Sequence, residues 1–201
     1  AYGAILHQRK IIPIHGSTFI FNDEGIMICG DAGAGKSSLT AAFCFDGAEF
    51  LTDDITPLIF SDRDPYILAL SDRIKLWSDS LAAFEAPEED LSRIDGRMNK
   101  FYYPMSRGDS ERHRLSKVFI LNPGTDPQPS INELEGAEKF ESLRNCIYRP
   151  EYLKGMPDNN EIYFKNLIQT CASVRIFSVS RPAGLKISEM KNQMAGWLNT
   201  F

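Results

Sequence analysis

The chain has 201 residues and a formal net charge of −5, so it lacks the overall basic field with which many proteins attract nucleic acid. Hydrophobic residues make up 43% of it, enough for a domain with a sizeable core, yet no stretch approaches the ~18 consecutive apolar residues of a membrane-spanning helix. We therefore expect neither nucleic acid nor a membrane among its partners.

The cysteines and the start of the chain bear on compartment and organisation. The four cysteines are scattered without a C-x-x-C pair, which is typical of small buried side chains in a reducing compartment rather than of disulfides or zinc ligands. We predict a cytoplasmic protein. The chain begins with Ala1-Tyr2-Gly3 rather than with Met, and we expect residues 1–201 to be a single domain from a longer chain.

The first predicted elements are strands. Residues 11–21 are rich in β-branched and aromatic side chains and are interrupted at Pro13 and at His15-Gly16, a pattern that predicts a strand, a kink and a second strand. A turn over residues 22–25 leads into a short apolar strand over residues 25–29.

A glycine-rich segment follows that strand directly. Residues 30–37 match G-x-x-x-x-G-K-[ST], and residues 36–45 have the pattern of an amphipathic helix. Strand, loop and helix form the setting in which this P-loop motif holds the phosphates of ATP or another nucleoside triphosphate, since backbone N–H groups and the helix N-terminus point at the ligand. Lys36 is predicted to bridge the terminal phosphates and Ser37 to ligate Mg²⁺. The predicted nucleotide-binding residues are Gly30, Asp31, Ala32, Gly33, Ala34, Gly35, Lys36, Ser37 and Ser38.

Two adjacent carboxylates follow the next predicted strand. Residues 48–51 form that strand, and Asp53 and Asp54 come just after it. A strand–helix–strand crossover returns to the same sheet in parallel, so this strand is expected to run alongside the one that ends at Cys29, with both carboxyl ends at one edge. The aspartates are therefore expected beside the phosphates, where one carboxylate can bind Mg²⁺ and another can orient an acceptor hydroxyl.

The rest of the chain predicts an α/β fold. Residues 86–116 are polar and are interpreted as a loop-rich insertion, within which residues 97–114 are predicted to be a mobile segment facing the substrate. Further strands are predicted over residues 55–60, 66–70, 74–77, 117–121 and 174–179, and helices over residues 79–85, 136–147, 161–172 and 187–198. Together these elements predict a mixed sheet with flanking helices.

Phosphoryl transfer also requires cations near the transferring group. The candidates in the middle of the chain are Arg73, Lys75, Arg97, Lys100, Arg107, Arg112 and Arg114. Lys75 and Lys100 are the first choices for a contact with the substrate or the phosphate, and a solvated loop with scattered charge is the alternative. Trp77 is expected to pack in the core or a loop.

Three segments together resemble a known family. His15-Gly16-Ser17, the loop at residues 30–37 and Leu51-Thr52-Asp53-Asp54 are similar to the H-G-[SV], G-x-S-G-x-G-K-S and A-D-D segments of the HPr kinase/phosphorylase catalytic domain. The match covers residues 10–60 well.

The chain also departs from that family. Ala32 and Thr52 stand where the family often has Ser and Ala, and residues 72–79 replace an E-I-R-G-L-G type segment. Residues 72–79, together with residues 97–104 and the predicted helix at Gly136-Ala137-Glu138, are similar to the divergent HPr-kinase-like proteins, which include the kinases of lasso peptide precursors. Phosphorylase activity and HPr itself as the substrate are therefore not part of what the resemblance implies.

The resemblance implies a P-loop kinase fold shared with phosphoenolpyruvate carboxykinases, with residues 1–201 as one catalytic domain. It implies a kinase that uses ATP and Mg²⁺ to phosphorylate a serine of a protein or peptide, such as a lasso peptide precursor. His15 would lie near the transferring phosphate, Asp53 would orient or deprotonate the acceptor, and Asp54 would bind Mg²⁺ with Ser37; the aspartates could also exchange these roles.

Two other functions stay open on the residues alone. One is a nucleotide-binding sensor or scaffold without transfer. The other is a small-molecule P-loop kinase, although in those enzymes helix-rich lids usually follow the loop, whereas this chain continues in strands. The partner is expected to be a protein or peptide with an acceptor serine, and a homo-oligomer is compatible with the sequence.

Overall fold

Secondary structure agrees well with the sequence pattern in the first part of the chain. The computed structural model describes residues 2–106 and 112–200. Its strands are β1 (Ile12–Ile14), β2 (Gly16–Phe21), β3 (Glu24–Gly30), β4 (Glu49–Thr52), β5 (Thr56–Ser61), β6 (Asp64–Leu68), β7 (Arg73–Trp77), β8 (Ser92–Arg93), β9 (Lys100–Pro104), β10 (Arg112–Gly124), β11 (Ser130–Glu133) and β12 (Arg175–Pro182). Its helices are α1 (Tyr2–Gln8), α2 (Lys36–Phe45), α3 (Ser78–Ala83), α4 (Gly136–Asn145), α5 (Asn159–Ser173) and α6 (Ile187–Thr200), with a 3₁₀ helix at Pro150–Gly155. The predicted strand, kink and strand over residues 11–21 are confirmed, with His15 at the kink.

Most of the strands in the described part of the chain form one curled mixed sheet. β3 and β12 run parallel to β10 on its two sides, whereas β2 is antiparallel to both β3 and β4. The first residues of β10 pair antiparallel with β6, which carries β5 and then β1. Buried parallel strands have continuous apolar runs, and residues 118–121 of β10 fit this rule. The expected α/β fold with a mixed sheet and flanking helices is confirmed.

Helices cover both faces of this sheet. On one face α2 and α6 pack over Phe119 and Phe177, whose rings stack with centroids 5.1 Å apart. On the other face Leu143 of α4 and Leu167 of α5 pack against Ile120. Burying a large apolar side chain stabilises the fold by about 1.5–3 kcal/mol. This packing stabilises the sheet whose strand ends carry the polar residues of the site.

The β3–α2–β4 unit sets the position of the site. β4 runs parallel to β3 in the same sheet, but β2 lies between them, so the expectation that the two strands run alongside each other is wrong. The reason is the tight turn at Asn22 and Asp23, both with positive φ, which folds β2 onto β3 as a hairpin. The expectation that both strands end at the same edge is confirmed, because Ser37 and Asp53 are in contact there.

The loop-rich insertion predicted over residues 86–116 is confirmed only in part: residues 86–91 and 94–99 lack regular secondary structure, whereas residues 92–93, 100–104 and 112–116 are strands. β9 pairs antiparallel with β7 and β8, and β10 begins at Arg112. Phe101 is 3% exposed and packs with Ile74 and Leu76. Strand side chains alternate between core and solvent, so alternate side chains of this sheet face solvent, and most of these are polar. The sequence therefore has the composition of a loop although it forms strands. Part of the segment predicted to be mobile is thus a strand, and residues 107–111, including Arg107, lie outside the described residues.

Several elements were missed from the sequence. The helix α1 and the strand β11 are too short for a clear period, and β10 continues past Leu121 because Gly124 still pairs with Pro182. None of the helices in the described ranges combines the length and the apolar character that crossing a bilayer requires.

Candidate active site

The glycine-rich loop between β3 and α2 has a backbone that residues other than glycine adopt only with strain. Gly30, Gly33 and Gly35 have φ values of +137°, +83° and +97°. A Cβ at Gly33 would meet nothing within 4 Å, whereas a Cβ at Gly35 would lie 2.3 Å from Nη1 of Arg181. The loop leads directly into the N-terminus of α2, where free N–H groups and the helix dipole favour an anion.

The amine of Lys36 lies at the start of the same loop. Its Nζ donates hydrogen bonds to the carbonyl oxygens of Gly30, at 2.8 Å, and Asp31, at 3.0 Å. Burial lowers the pKa of Lys36, and the negative charges of Asp53 and Asp54 act in the opposite direction. A buried ammonium held by neutral carbonyls can be stabilised further by an anion.

Asp53 connects α2 to the sheet formed by β7, β8 and β9. Its Oδ1 accepts a hydrogen bond from Ser37 Oγ at 2.8 Å, and its Oδ2 accepts one from the backbone N–H of Lys75 at 3.1 Å. The pair places two hard oxygen atoms side by side at the helix N-terminus, and Mg²⁺ takes such ligands. Over the described residues, no group of three or more His, Cys, Asp or Glu side chains could hold a metal ion.

Asp54 has a left-handed backbone conformation, with φ +74°. Its Oδ2 accepts a hydrogen bond from Lys75 Nζ at 2.7 Å, and its Oδ1 lies 3.8 Å from Nε2 of His15. Burial alone would raise the pKa of Asp54, but the hydrogen bond from Lys75 and the charges of Lys75 and His15 lower it overall. Asp54 is therefore ionised at neutral pH.

The pKa values of the two partners of Asp54, Lys75 and His15, shift in opposite directions. Burial would lower the pKa of Lys75, but the hydrogen bond to Asp54 and the charge of that carboxylate raise it overall. Burial and the charge of Lys36 lower the pKa of His15, against the opposing effect of Asp54. The surroundings thus favour the charged form of Lys75 and the neutral form of His15.

These groups line one cavity of about 680 Å³, here called the main cavity. Its walls contain the predicted residues His15, Ala32, Gly33, Gly35, Lys36, Ser37, Ser38, Asp53, Asp54, Lys75 and Lys100. The structure thus brings together residues from six separate elements, turns or loops. Gly30 and Asp31 border a neighbouring cleft instead, and the carbonyl of Ala34 accepts a hydrogen bond from Arg181.

Lys100 reaches the main cavity from β9. Its Nζ lies 5.4 Å from the ring centroid of Trp77, and Trp77 is 43% exposed. The expectation that Trp77 packs in the core or a loop is wrong, because Trp77 is the last residue of β7, where Leu76 takes the inward position and the alternation of the strand turns Trp77 outward. Ser38 Oγ lies 2.7 Å from Ser80 Oγ of α3, and both serines line the main cavity.

Arg181 is a residue at the site that sequence reasoning missed. It is the last residue but one of β12, and its guanidinium donates to the carbonyl oxygens of Ala34 and Leu185, both at 3.0 Å. Within the described residues, its buried Nε has no hydrogen-bond partner, and burial lowers the pKa of Arg181. The sequence has this cation just after the strand predicted over residues 174–179, so the reasoning that located the two aspartates could also have located Arg181.

Comparison with known proteins gives a limited result. No family model matches the chain, and no curated protein matches it. Among solved structures, the chain is similar to the Hpr(Ser) kinase/phosphatase from Coxiella burnetii, at 13% sequence identity over 92% of this chain and 98% of that chain, with a TM-score of 0.44. A likeness at this level assigns neither a family nor an activity to the chain.

Proposed function

We propose that this protein is a kinase that uses ATP and Mg²⁺ to phosphorylate a serine of a protein or peptide. The observation that carries the proposal is the 2.8 Å contact between Ser37 and Asp53, because it joins the first turn of α2 to the end of β4 beside the glycine-rich loop. His15 and Asp54 line the same cavity. This arrangement supports a nucleotide site with a separate pair of groups for an acceptor.

The triphosphate would lie in the main cavity against the backbone N–H groups of residues 31–36. Lys36 would exchange its carbonyl partners for the terminal phosphates, and Lys75, Lys100 and Arg181 line the same cavity. Phosphoryl transfer depends mainly on positioning and on stabilising the charge of the equatorial oxygens. The four cations could supply that stabilisation.

The Ser37 hydroxyl and the Asp53 carboxylate fit the requirements of Mg²⁺. In phosphate sites the ion keeps several waters and takes only one or two carboxylates from the protein. When bound, Mg²⁺ neutralises charge on the phosphate oxygens. Because Asp53 is the carboxylate in contact with Ser37, we assign Asp53 to the metal and Asp54 to the acceptor, the reverse of the first division that the family resemblance implies.

Asp54 and His15 would receive the acceptor serine. The serine oxygen forms a bond to the terminal phosphorus while the bond from that phosphorus to the β-phosphate oxygen breaks, and ADP leaves. The serine proton passes to the ionised carboxylate of Asp54 and from there to solvent. Lys75, hydrogen-bonded at 2.7 Å, would keep that carboxylate oriented during the transfer.

Two isosteric variants test this division of roles. Asp54→Asn is expected to lower kcat by about 10²–10⁴-fold, the usual range for general acid–base help, with little change in the affinity for Mg·ATP. Asp53→Asn is expected to raise the Mg²⁺ concentration needed for half-maximal rate. The measurement is label transfer from [γ-³²P]ATP to a degenerate serine peptide library, and Asp72→Asn, on an exposed carboxylate, is the control.

The outcomes separate the possible failures. If Asp53→Asn loses catalysis at saturating Mg²⁺ while Asp54→Asn keeps it, the two roles are exchanged. If the unaltered protein binds Mg·ATP but labels no serine peptide, the proposal of a serine kinase is wrong, and a nucleotide-binding sensor or a small-molecule kinase takes its place.

A further inference from the structure

A second cleft adjoins the main cavity at His15. It measures about 570 Å³ and is bordered by Gly30 and Asp31 at the start of the glycine-rich loop; we call it the polar cleft. Within the described residues, His15 is the residue common to the walls of both cavities. The amine of Lys36 contacts the carbonyl oxygens of Gly30 and Asp31. Gly30 and Asp31 border the polar cleft and the following residues of the same loop line the main cavity, so a terminal phosphate held by this loop would lie near the boundary between the two cavities.

The walls of the polar cleft suit an uncharged polar chain. Its buried apolar wall residues include Ile120, Leu134 and Cys146. Amide and hydroxyl side chains, which both donate and accept hydrogen bonds as a peptide backbone requires, are contributed by Asn122, Ser142, Asn145 and Ser178. The walls contain one Asp and one Arg, Asp31 and Arg149, so the charges of these two side chains cancel. The main cavity differs because its walls carry seven charged side chains, four Lys or Arg and three Asp, which suit a triphosphate with Mg²⁺.

One wall of the polar cleft also holds His15 in position. The backbone N–H of His15 donates to the carbonyl of Cys146 at 2.7 Å, and that of Tyr148 donates to the carbonyl of Pro13 at 2.8 Å. The rings of His15 and Tyr148 meet edge to face at 6.0 Å. Arg149 follows with a left-handed φ of +53°, a strained conformation of the kind that is often retained at functional sites. A ligand that contacts residues 146–149 would therefore touch the segment that holds His15 in position.

We propose that the polar cleft binds the acceptor, and that the acceptor is a peptide segment whose serine is flanked by uncharged polar residues. The inference rests on the proposed kinase function. Phosphoryl transfer places the attacking and leaving oxygens roughly in line, on opposite sides of the phosphorus. With ADP leaving on the side of the main cavity, the attacking serine oxygen comes from the side of the polar cleft and meets His15 at the boundary, where Asp54 of the main cavity lies 3.8 Å from the imidazole. The volume of about 570 Å³ has room for a short segment.

The test fills the polar cleft without touching the nucleotide site. Asn145 is exposed at the end of α4 and lines the cleft, so Asn145→Trp introduces a large ring there. Arg144→Trp places the same ring one residue away on an exposed position outside the cleft wall and is the matched control. The expected result is a fall in kcat/KM for the serine peptide library of about 10–200-fold, the range for losing a specific pocket contact, with Mg·ATP affinity unchanged by calorimetry and Arg144→Trp unaffected.

A second measurement keeps the inference testable if Asn145→Trp folds poorly. A photoreactive benzoylphenylalanine at position 145 should crosslink a biotinylated serine peptide library in the presence of a non-hydrolysable ATP analogue, and the same group at position 144 should not. Full activity of Asn145→Trp, or equal crosslinking at both positions, would overturn the cleft assignment while the kinase proposal stands. Absence of serine labelling by the unaltered protein would overturn both.

Discussion

The contact between the glycine-rich loop and Arg181 predicts unequal effects for two otherwise similar substitutions. Gly33→Ala and Gly35→Ala both place a Cβ on a positive-φ backbone, with φ values of +83° and +97°, which costs roughly 1–2 kcal/mol in the left-handed region. At Gly33 the added carbon meets nothing within 4 Å, but at Gly35 it lies 2.3 Å from Arg181 Nη1. The guanidinium must therefore shift, and we expect the shift to break its 3.0 Å bond to Ala34.

A hydrogen bond from a charged group contributes about 1.5–3 kcal/mol. We therefore expect Gly35→Ala to destabilise the fold by roughly 2.5–5 kcal/mol and Gly33→Ala by roughly 1–2 kcal/mol. For a chain of this size the difference corresponds to roughly 3–12 °C in Tm. Differential scanning calorimetry of the two variants measures it. Equal Tm values would refute the reasoning, and Gly35→Ala combined with Arg181→Ala should lose less stability than the two single effects added together.

Three further substitutions test other parts of the structure. Lys75→Met removes the hydrogen bond and the charge that lower the pKa of Asp54, so we expect that pKa to rise. Because the ionised carboxylate is needed, the acid limb of the pH profile of kcat/KM should shift to higher pH. An unmoved acid limb would contradict the role of Asp54. Phe101→Ala should cost about 3–5 kcal/mol in urea denaturation, as for other buried aromatic side chains, whereas a value near zero would mean that β9 is not part of the core. Arg181→Met removes the bonds to Ala34 and Leu185 and should weaken Mg·ATP binding by about tenfold or more, which calorimetry would show; an unchanged Kd would exclude a role for this guanidinium in the loop.

The parts of the site predicted from the sequence are those set by local patterns. The loop at residues 30–37 requires glycine at defined positions, and the helix after it has a clear start, so both could be located. The connection rule for parallel strands placed Asp53 at the correct edge without knowledge of which strand lies next to β3.

The remainder depends on contacts between residues far apart in sequence. The left-handed backbone of Asp54 and its bond to Lys75 turn the two aspartates in different directions, and nothing in the dipeptide indicates this. Arg181 meets Ala34 across 147 positions. The alternation in β9 was hidden because aromatic and charged residues mix within it, so a half-buried strand had the composition of a loop.

The stoichiometry of the reaction tests the central claim most directly. The unaltered protein, Mg²⁺, [γ-³²P]ATP and the serine peptide library are incubated together, and the ADP formed is compared with the phosphoserine recovered after hydrolysis of the peptides. The proposed kinase forms one phosphoserine for each ADP, and Lys36→Ala forms neither. ADP without phosphoserine, or label that is released only as inorganic phosphate, would contradict the account.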